Sequence, residues 1–144
     1  HSYAANPFYF IDPCGWVNAP SSLPNTAGIY TIINGNEAYV GSAGGGADGM
    51  YGRTSDSQHK RAQELLKKPG TVVRYQEIDL GTATTRSQRE HILRHYEQME
   101  MDRLTKEGKT LTNARRAEAR SKSARNAAEV KEHGAKPRGP QKTC

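Results

Sequence analysis

This chain of 144 residues is poor in three features, and each shortage excludes a class of protein. No apolar run approaches the roughly 20 residues that a membrane-spanning helix needs, so we expect no membrane partner. The N-terminus lacks the basic start and apolar stretch of a signal peptide, so we expect any export to use another route. Cys14 and Cys144 lie near opposite ends, which predicts free thiols rather than a disulfide framework or a zinc site.

Basic residues are missing from the first third of the chain. No Lys or Arg precedes Arg53, and after Asn113 nine basic residues stand against three glutamates, an excess that equals the net charge of +6. Such a segment attracts phosphate backbones without sequence preference, although a solvated helix face or a solubilising tail would have the same charge. We expect nucleic-acid contacts from Arg115, Arg116, Arg120, Lys122 and Arg125.

The size and hydropathy of the chain indicate one modest core. Hydrophobic residues make up 34% of the sequence, enough for a single domain with less ordered ends. Two short β-prone runs, 28–33 and 36–41, flank Asn34-Gly35, a dipeptide that favours a type I′ turn. The sequence therefore predicts a β-hairpin, with a third strand within 71–80.

Helical patterns follow the hairpin. Ser55 to Lys68 has a capping-box start and ends at Pro69-Gly70, and His59 falls on its inward face. Thr85 to Leu104 is the longest helical pattern, with Ile92, Leu93, Tyr96, Met99 and Leu104 on one core-facing arc and Glu97 at its edge. Ala114 to His133 is predicted as a basic helix that stops at Gly134, and 134–144 as a disordered basic tail.

The tripeptides Gly28-Ile29-Tyr30 and Tyr39-Val40-Gly41 resemble the signature of the GIY-YIG nuclease family, with Val40 where the family usually has Ile. The resemblance implies an α/β fold with a small three-stranded antiparallel or mixed sheet flanked by helices. It also implies a metal-dependent endonuclease over residues 28–133. The cofactor would be Mg²⁺ or Mn²⁺, and the expected substrate is DNA, although backbone charge leaves RNA open.

The same resemblance implies the site residues. Its two tyrosines become Tyr30 and Tyr39, and its Arg and His on or near the first helix become Arg53 and His59. Arg61 is the competitor of Arg53, but it lies about 200° from His59 on a helix, so the two would face apart. The complete implied catalytic set is Tyr30, Tyr39, Arg53, His59, Glu97 and Asn113.

The metal-binding glutamate has three candidates, Glu90, Glu97 and Glu100. We favour Glu97, because it lies sixteen residues before Asn113 and because Glu97-Gln98 resembles the Glu-Gln of GIY-YIG toxins from Rhs-type proteins. A carboxylate oxygen suits Mg²⁺, which takes one or two protein ligands and keeps several waters. Asn113 matches the downstream Asn of the family and could also cap a helix beginning at Ala114.

Residues 1–16 resemble the junction at the end of the Rhs-repeat core, through Asn6-Pro7 and the Asp-Pro-x-Gly element Asp12–Gly15. Residues 17–27 would then be a linker. The resemblance implies the C-terminal toxin of an Rhs-type polymorphic effector, secreted within an Rhs shell and delivered into the cytoplasm of a target cell. Its producer would need a cognate immunity protein, which we expect to be acidic.

Two alternatives remain open. One is a housekeeping or restriction GIY-YIG endonuclease, which would cut at specific sequences or structures. The other is a noncatalytic nucleic-acid-binding module that has the fold without the chemistry. Discrete cleavage bands would favour the first alternative, and binding without metal-dependent cleavage would favour the second.

Overall fold

The computed structural model describes residues 26–44, 60–113 and 116–143. Its elements are β1 (Ala27–Asn34), β2 (Glu37–Gly44), α1 (Lys60–Leu66), β3 (Val72–Asp79), α2 (Arg86–Lys106), β4 (Thr110–Leu111), a 3₁₀ turn (Arg120–Lys122), α3 (Ser123–His133), β5 (Lys136–Pro137) and β6 (Lys142–Thr143). The general expectation of a mixed α/β fold with a mixed sheet is confirmed.

The sheet is built around β1. Its strand order is β4-β2-β1-β3-β5, with β6 also paired to β3. All pairs are antiparallel except β2 with β4, which is parallel. We expected three strands, and β1, β2 and β3 are those three. Three further strands of two residues each extend the sheet at both edges.

The β1–β2 hairpin forms where the sequence predicts it, but its turn differs by one residue. Asn34 pairs with Glu37, so the two central residues are Gly35 and Asn36. Gly35 has φ 57°, and no non-glycine residue in the described ranges has a positive φ. A positive φ at the first central position alone is the pattern of a type II′ turn, which requires glycine there. The prediction of type I′ was therefore wrong.

Two apolar clusters cover opposite faces of the sheet. Alternating strand residues point to opposite sides, so Tyr30 and Ile32 of β1 pack against α1, with Ala62, Leu65 and Leu66. The other face packs against α2 through a second cluster that contains Ile29, Ile33, Ala38, Val40, Ile92, Leu93, Met101 and Leu104. Because β1 is buried on both faces, it is the centre of the core.

Helix α2 begins almost where the sequence predicts. Thr85 accepts a hydrogen bond from the Gln88 backbone N–H, and the Gln88 side chain accepts one in return from the Thr85 backbone N–H. This capping box satisfies N–H groups that the first helical turn leaves unpaired. The predicted arc is wrong at Met99, which is 53% exposed. Buried Gln98 and Glu100 flank it instead, because both are held in polar networks.

The C-terminal third differs most from expectation. Residues 116–119 are not helical, and the α-helix begins only at Ser123, although it ends before Gly134 as predicted. Gln98 explains the late start, because its side-chain oxygen accepts the backbone N–H of Ala117 and of Glu118. The prediction of disorder after Gly134 was also wrong for 136–143, where β5 and β6 pair with β3.

Several predictions concern residues outside the described ranges. They are the junction and linker within 1–25, both cysteines, Arg53, His59, Arg115 and the proposed start of the first helix at Ser55. The described part of that helix, Lys60–Leu66, lies within its predicted bounds. Within the described ranges, none of the helices combines the length and the apolar composition that a membrane span requires.

Candidate functional site

Tyr30 and Tyr39 lie together on the sheet face that contacts α1. Their ring centroids are 6.3 Å apart, and the ring planes are inclined by 27°, which is a stacked arrangement. Tyr30 is 1% exposed, whereas Tyr39 is only partly buried at the margin of the same cluster. Solvent therefore reaches the Tyr39 side chain, which carries one of the two hydroxyls, more readily than the Tyr30 side chain.

Gly41 makes room for the Tyr30 ring. Tyr30 and Gly41 are directly opposite each other in the β1–β2 register. A Cβ atom built on Gly41 would lie 2.2 Å from Tyr30 Cζ and 2.3 Å from its hydroxyl oxygen. Gly41, the last residue of the second tripeptide, thus leaves space for Tyr30, the last residue of the first. This is a steric reason for glycine at position 41.

Glu97 lies on the opposite face of the sheet, partly buried on α2. The Ser42 hydroxyl donates a hydrogen bond to Glu97 Oε2 at 2.8 Å. Ser42 follows Val40 by two residues in β2, so its side chain points to the α2 face, away from Tyr39. The structure therefore brings the two tyrosines together and holds the Glu97 carboxylate across the strand from them.

Asn113 occupies the outer edge of β2, between these two faces. Its side-chain oxygen accepts the Val40 backbone N–H at 3.0 Å, and its amide nitrogen donates to the Val40 carbonyl at 2.8 Å. The amide thus continues the ladder that β4 begins at Glu37 and Ala38. Three partly exposed side chains therefore lie around residues 39–42 of β2. Tyr39 lies on one face of the strand, Asn113 lies at its edge, and Glu97 lies on the other face.

Arg61, the competitor of Arg53, reaches the same edge from α1. Its Nη1 donates to the Thr112 carbonyl at 2.7 Å, one residue before Asn113. Lys68 forms an ion pair with Glu37 at 2.7 Å nearby. A groove of about 510 Å³ separates α1 from the β2 edge and is lined by Glu37, Arg61, Glu64, Leu65, Lys68 and Thr112.

The two glutamates that competed with Glu97 have other surroundings. Glu90 is exposed and forms an ion pair with Arg86. Glu100 is buried and accepts hydrogen bonds from Thr31, Arg103 and Gln141. Burial favours the neutral acid, but the donors outweigh it and hold the pKa of Glu100 below its usual value. Glu100 is thus an ionised structural carboxylate that joins β1, α2 and the C-terminal segment.

The predicted nucleic-acid contacts in the described residues are Arg116, Arg120, Lys122 and Arg125, and all four are exposed. Buried Glu118 anchors their segment, accepting from Asn126 at 2.7 Å and lying 3.2 Å from His95 Nδ1. Arg94, one turn before Glu97 on α2, donates to the Ala117 carbonyl at 3.4 Å. Residues 116–125, which we call the basic segment, are therefore packed against α2, the helix that carries Glu97.

Sequence reasoning missed Ser42, Gln98 and Glu118. Ser42 directly follows the second tripeptide, and Gln98 directly follows the favoured glutamate, so both positions offered a signal. Glu118 offered none, because its partners His95 and Asn126 lie 23 and 8 residues away in sequence.

A divalent cation fits the chemistry of this edge. No group of three or more His, Cys, Asp or Glu side chains lies together within the described ranges. Mg²⁺ does not require such a group, because it takes one or two carboxylates and keeps its remaining waters. Glu97, partly exposed and accepting a hydrogen bond from Ser42, is a carboxylate of that kind.

Comparison with family models, with curated proteins and with solved structures gave no match for this chain.

Proposed function

We propose that this chain is a metal-dependent endonuclease that hydrolyses phosphodiester bonds in DNA and resembles the GIY-YIG nucleases. The observation that carries the proposal is the stacked pair of Tyr30 and Tyr39, set in the two tripeptides on adjacent strands. The strand order β2-β1-β3 agrees with the small sheet that the resemblance implies. An isolated strand tyrosine would be ordinary, but this pair with its matching glycine is not.

The reacting phosphate would lie at the outer edge of β2. At that edge, one group would approach Tyr39 from one face of the strand and Glu97 from the other, with Asn113 between them. Phosphodiester hydrolysis needs a base near the attacking water and stabilisation of the charge that develops. We assign contact with that water to the Tyr39 hydroxyl, because Tyr30 is nearly inaccessible and supports the Tyr39 ring instead.

Asn113 would brace the site by fixing the edge of β2 at Val40. Glu97 would hold Mg²⁺ or Mn²⁺. When bound, that cation would supply positive charge to the phosphate and lower the pKa of a bound water. Arg53 and His59 would add a further positive group and a proton acceptor, as the resemblance implies. Arg61 remains the alternative guanidinium, because its bond to the Thr112 carbonyl keeps it beside Asn113 at the β2 edge.

The basic segment would grip the nucleic-acid backbone. Arg116, Arg120, Lys122 and Arg125 are exposed, and phosphate contacts of this kind give affinity without sequence preference. Binding without sequence preference suits a toxin that cuts DNA at many places rather than at one specific sequence. We propose that the chain is the toxin domain of an Rhs-type effector, secreted in its shell, delivered into a target cell and neutralised by an acidic immunity protein.

Supercoiled plasmid incubated with the purified chain tests the proposal. We expect a smear of products with Mg²⁺ and none with EDTA. Glu97→Gln should abolish cleavage, whereas Glu90→Gln, an exposed glutamate two turns earlier on α2, should cleave like the parent chain. Tyr39→Phe removes only the hydroxyl and should reduce cleavage strongly.

Intact plasmid with folded protein in every condition would refute the DNase proposal. Structured and single-stranded RNA are then the next substrates to incubate. Discrete bands in place of a smear would identify a specific endonuclease, and binding without cleavage of DNA or RNA would identify a noncatalytic module.

A further inference from the structure

We propose that Ser42 is a positioning residue that orients the Glu97 carboxylate for its cation. The inference rests on the proposed function, because it assigns a role at the same site. It depends on one contact, the hydrogen bond of 2.8 Å from the Ser42 hydroxyl to Glu97 Oε2. Ser42 immediately follows the second tripeptide, so the strand that presents Tyr39 also presents this donor.

Glu97 projects from a helix toward a strand that is distant in sequence, and a glutamate side chain has three rotatable bonds. A fixed donor reduces the number of orientations that the carboxylate samples, and so reduces the entropic cost of ordering it around a cation. The Ser42 hydroxyl fixes one orientation from the rigid side of the pair, since β2 lies between β1 and β4 in the sheet.

Donation by Ser42 does not compete with a cation for the carboxylate. An ionised carboxylate has two oxygens and about four acceptor positions, so it can accept a hydrogen bond and still coordinate a metal. Hydrogen bonds of this kind commonly orient metal ligands, and removing one typically weakens metal affinity or activity about 10- to 100-fold.

A second strand hydroxyl on this face has a different partner. Thr31 of β1 donates to Glu100 Oε2 at 2.9 Å, within the network closed by Arg103 and Gln141. The two strand hydroxyls therefore separate the roles of the two glutamates. Thr31 belongs to the buried structural carboxylate, and Ser42 belongs to the partly exposed carboxylate at the β2 edge.

The experiment measures Mn²⁺ binding to the full chain by the loss of the free Mn²⁺ signal in electron paramagnetic resonance. The variants are Ser42→Ala, Ser42→Thr and Glu97→Gln, with Ser87→Ala as the control because Ser87 is an exposed serine on α2. Thermal unfolding identifies folded variants. Ser42→Thr retains the hydroxyl and adds a β-branched side chain that a strand accommodates.

We expect Ser42→Ala to bind Mn²⁺ about tenfold more weakly. Plasmid cleavage by that variant should recover as Mg²⁺ is raised, because the ligand itself remains. Ser42→Thr and Ser87→Ala should bind like the parent chain. If Thr does not fold at this position, Ser42→Cys serves as a second variant, and its weak donor should give an intermediate affinity.

Parental Mn²⁺ affinity in folded Ser42→Ala, together with lost binding in Glu97→Gln, would overturn the role of Ser42 and leave the proposed function intact. Parental affinity in Glu97→Gln would instead overturn Glu97 as the metal ligand and the inference with it. A Ser42→Ala variant whose cleavage stays low at every Mg²⁺ concentration would also contradict a positioning role.

Discussion

The contact between Tyr30 and Gly41 leads to a sharp prediction for Gly41→Ala. The added methyl would lie 2.2 Å from Tyr30 Cζ and 2.3 Å from the hydroxyl oxygen, where carbon atoms normally approach to about 3.5–4.0 Å. The Tyr30 ring is 1% exposed and stacked on Tyr39, so it cannot turn aside into solvent. Either the ring or the β1–β2 pairing must move by more than an ångström.

The expected cost follows from overpacking. Extra methyl groups in a packed core destabilise by about 1–3 kcal/mol. Alanine in a strand gains about 0.5–1 kcal/mol relative to glycine, which offsets a small part of this. Gly44→Ala is the matched control on the same strand, since its added Cβ meets no atom of the described residues within 4 Å. We expect Gly44→Ala to unfold at the same or slightly higher urea concentration than the parent chain, and Gly41→Ala at a clearly lower one.

Urea unfolding followed by far-UV circular dichroism measures both variants, and a double-mutant cycle isolates the contact. Tyr30→Phe should not relieve the clash, because Cζ remains at 2.2 Å. Tyr30→Val removes the ring, and in that background Gly41→Ala should cost little, which gives a coupling of about 0.5–3 kcal/mol. Equal midpoints for Gly41→Ala and Gly44→Ala would refute the reasoning.

Three further predictions concern the Glu100 network, the β2 edge and the basic segment. Because folding lowers the pKa of Glu100, the stability that its carboxylate contributes is fully present above the ordinary glutamate pKa of about 4.3 and is lost as the pH falls through the folded value. The difference in unfolding free energy between the parent chain and Glu100→Gln should therefore shrink between pH 5 and 3. A difference that stays constant over this range would contradict the prediction. Asn113→Asp should lower the urea midpoint of unfolding, because a carboxylate would face the Val40 carbonyl in place of an amide donor. If Asn113 only capped a helix, the aspartate variant would keep the parental midpoint, since aspartate caps helices as well as asparagine does. Arg120→Gln should reduce the slope of log K against log salt for duplex DNA by about 0.9 without affecting Mn²⁺ binding, and an unchanged slope would remove Arg120 from the interface.

The sequence was informative where structure depends on nearby residues. Helix α2 was predicted from its apolar spacing, and both of its ends lie within two residues of the predicted bounds, although Met99 of the predicted arc is exposed. The hairpin follows from Asn34-Gly35, yet the turn is centred one residue later. The strand register continues through Asn34, so Gly35 takes the first central position. A glycine in such a sequence predicts the presence of a turn more reliably than it predicts which position of the turn the glycine will occupy.

It was uninformative where one distant group decides. Residues 116–119 have helical composition, but Gln98 accepts the N–H groups of Ala117 and Glu118 and so competes with a helical first turn. Strands β5 and β6 have two residues each, too few for an alternation pattern, and form because β3 offers them an edge. The separate roles of Glu97 and Glu100 likewise depend on Ser42 and Thr31, which are more than fifty residues away.

Helix α2 joins the two halves of the candidate site through adjacent residues. Glu97 accepts from Ser42 on β2, while Gln98, about 100° around the helix, holds Ala117 and Glu118. The basic segment is therefore fixed relative to the Glu97 carboxylate by buried hydrogen bonds and does not trail from the core as a tether. A phosphate backbone held by that segment would then meet the β2 edge in a restricted set of positions. In the proposed nuclease, nonspecific affinity and a defined cleavage geometry would thus be compatible in one small domain.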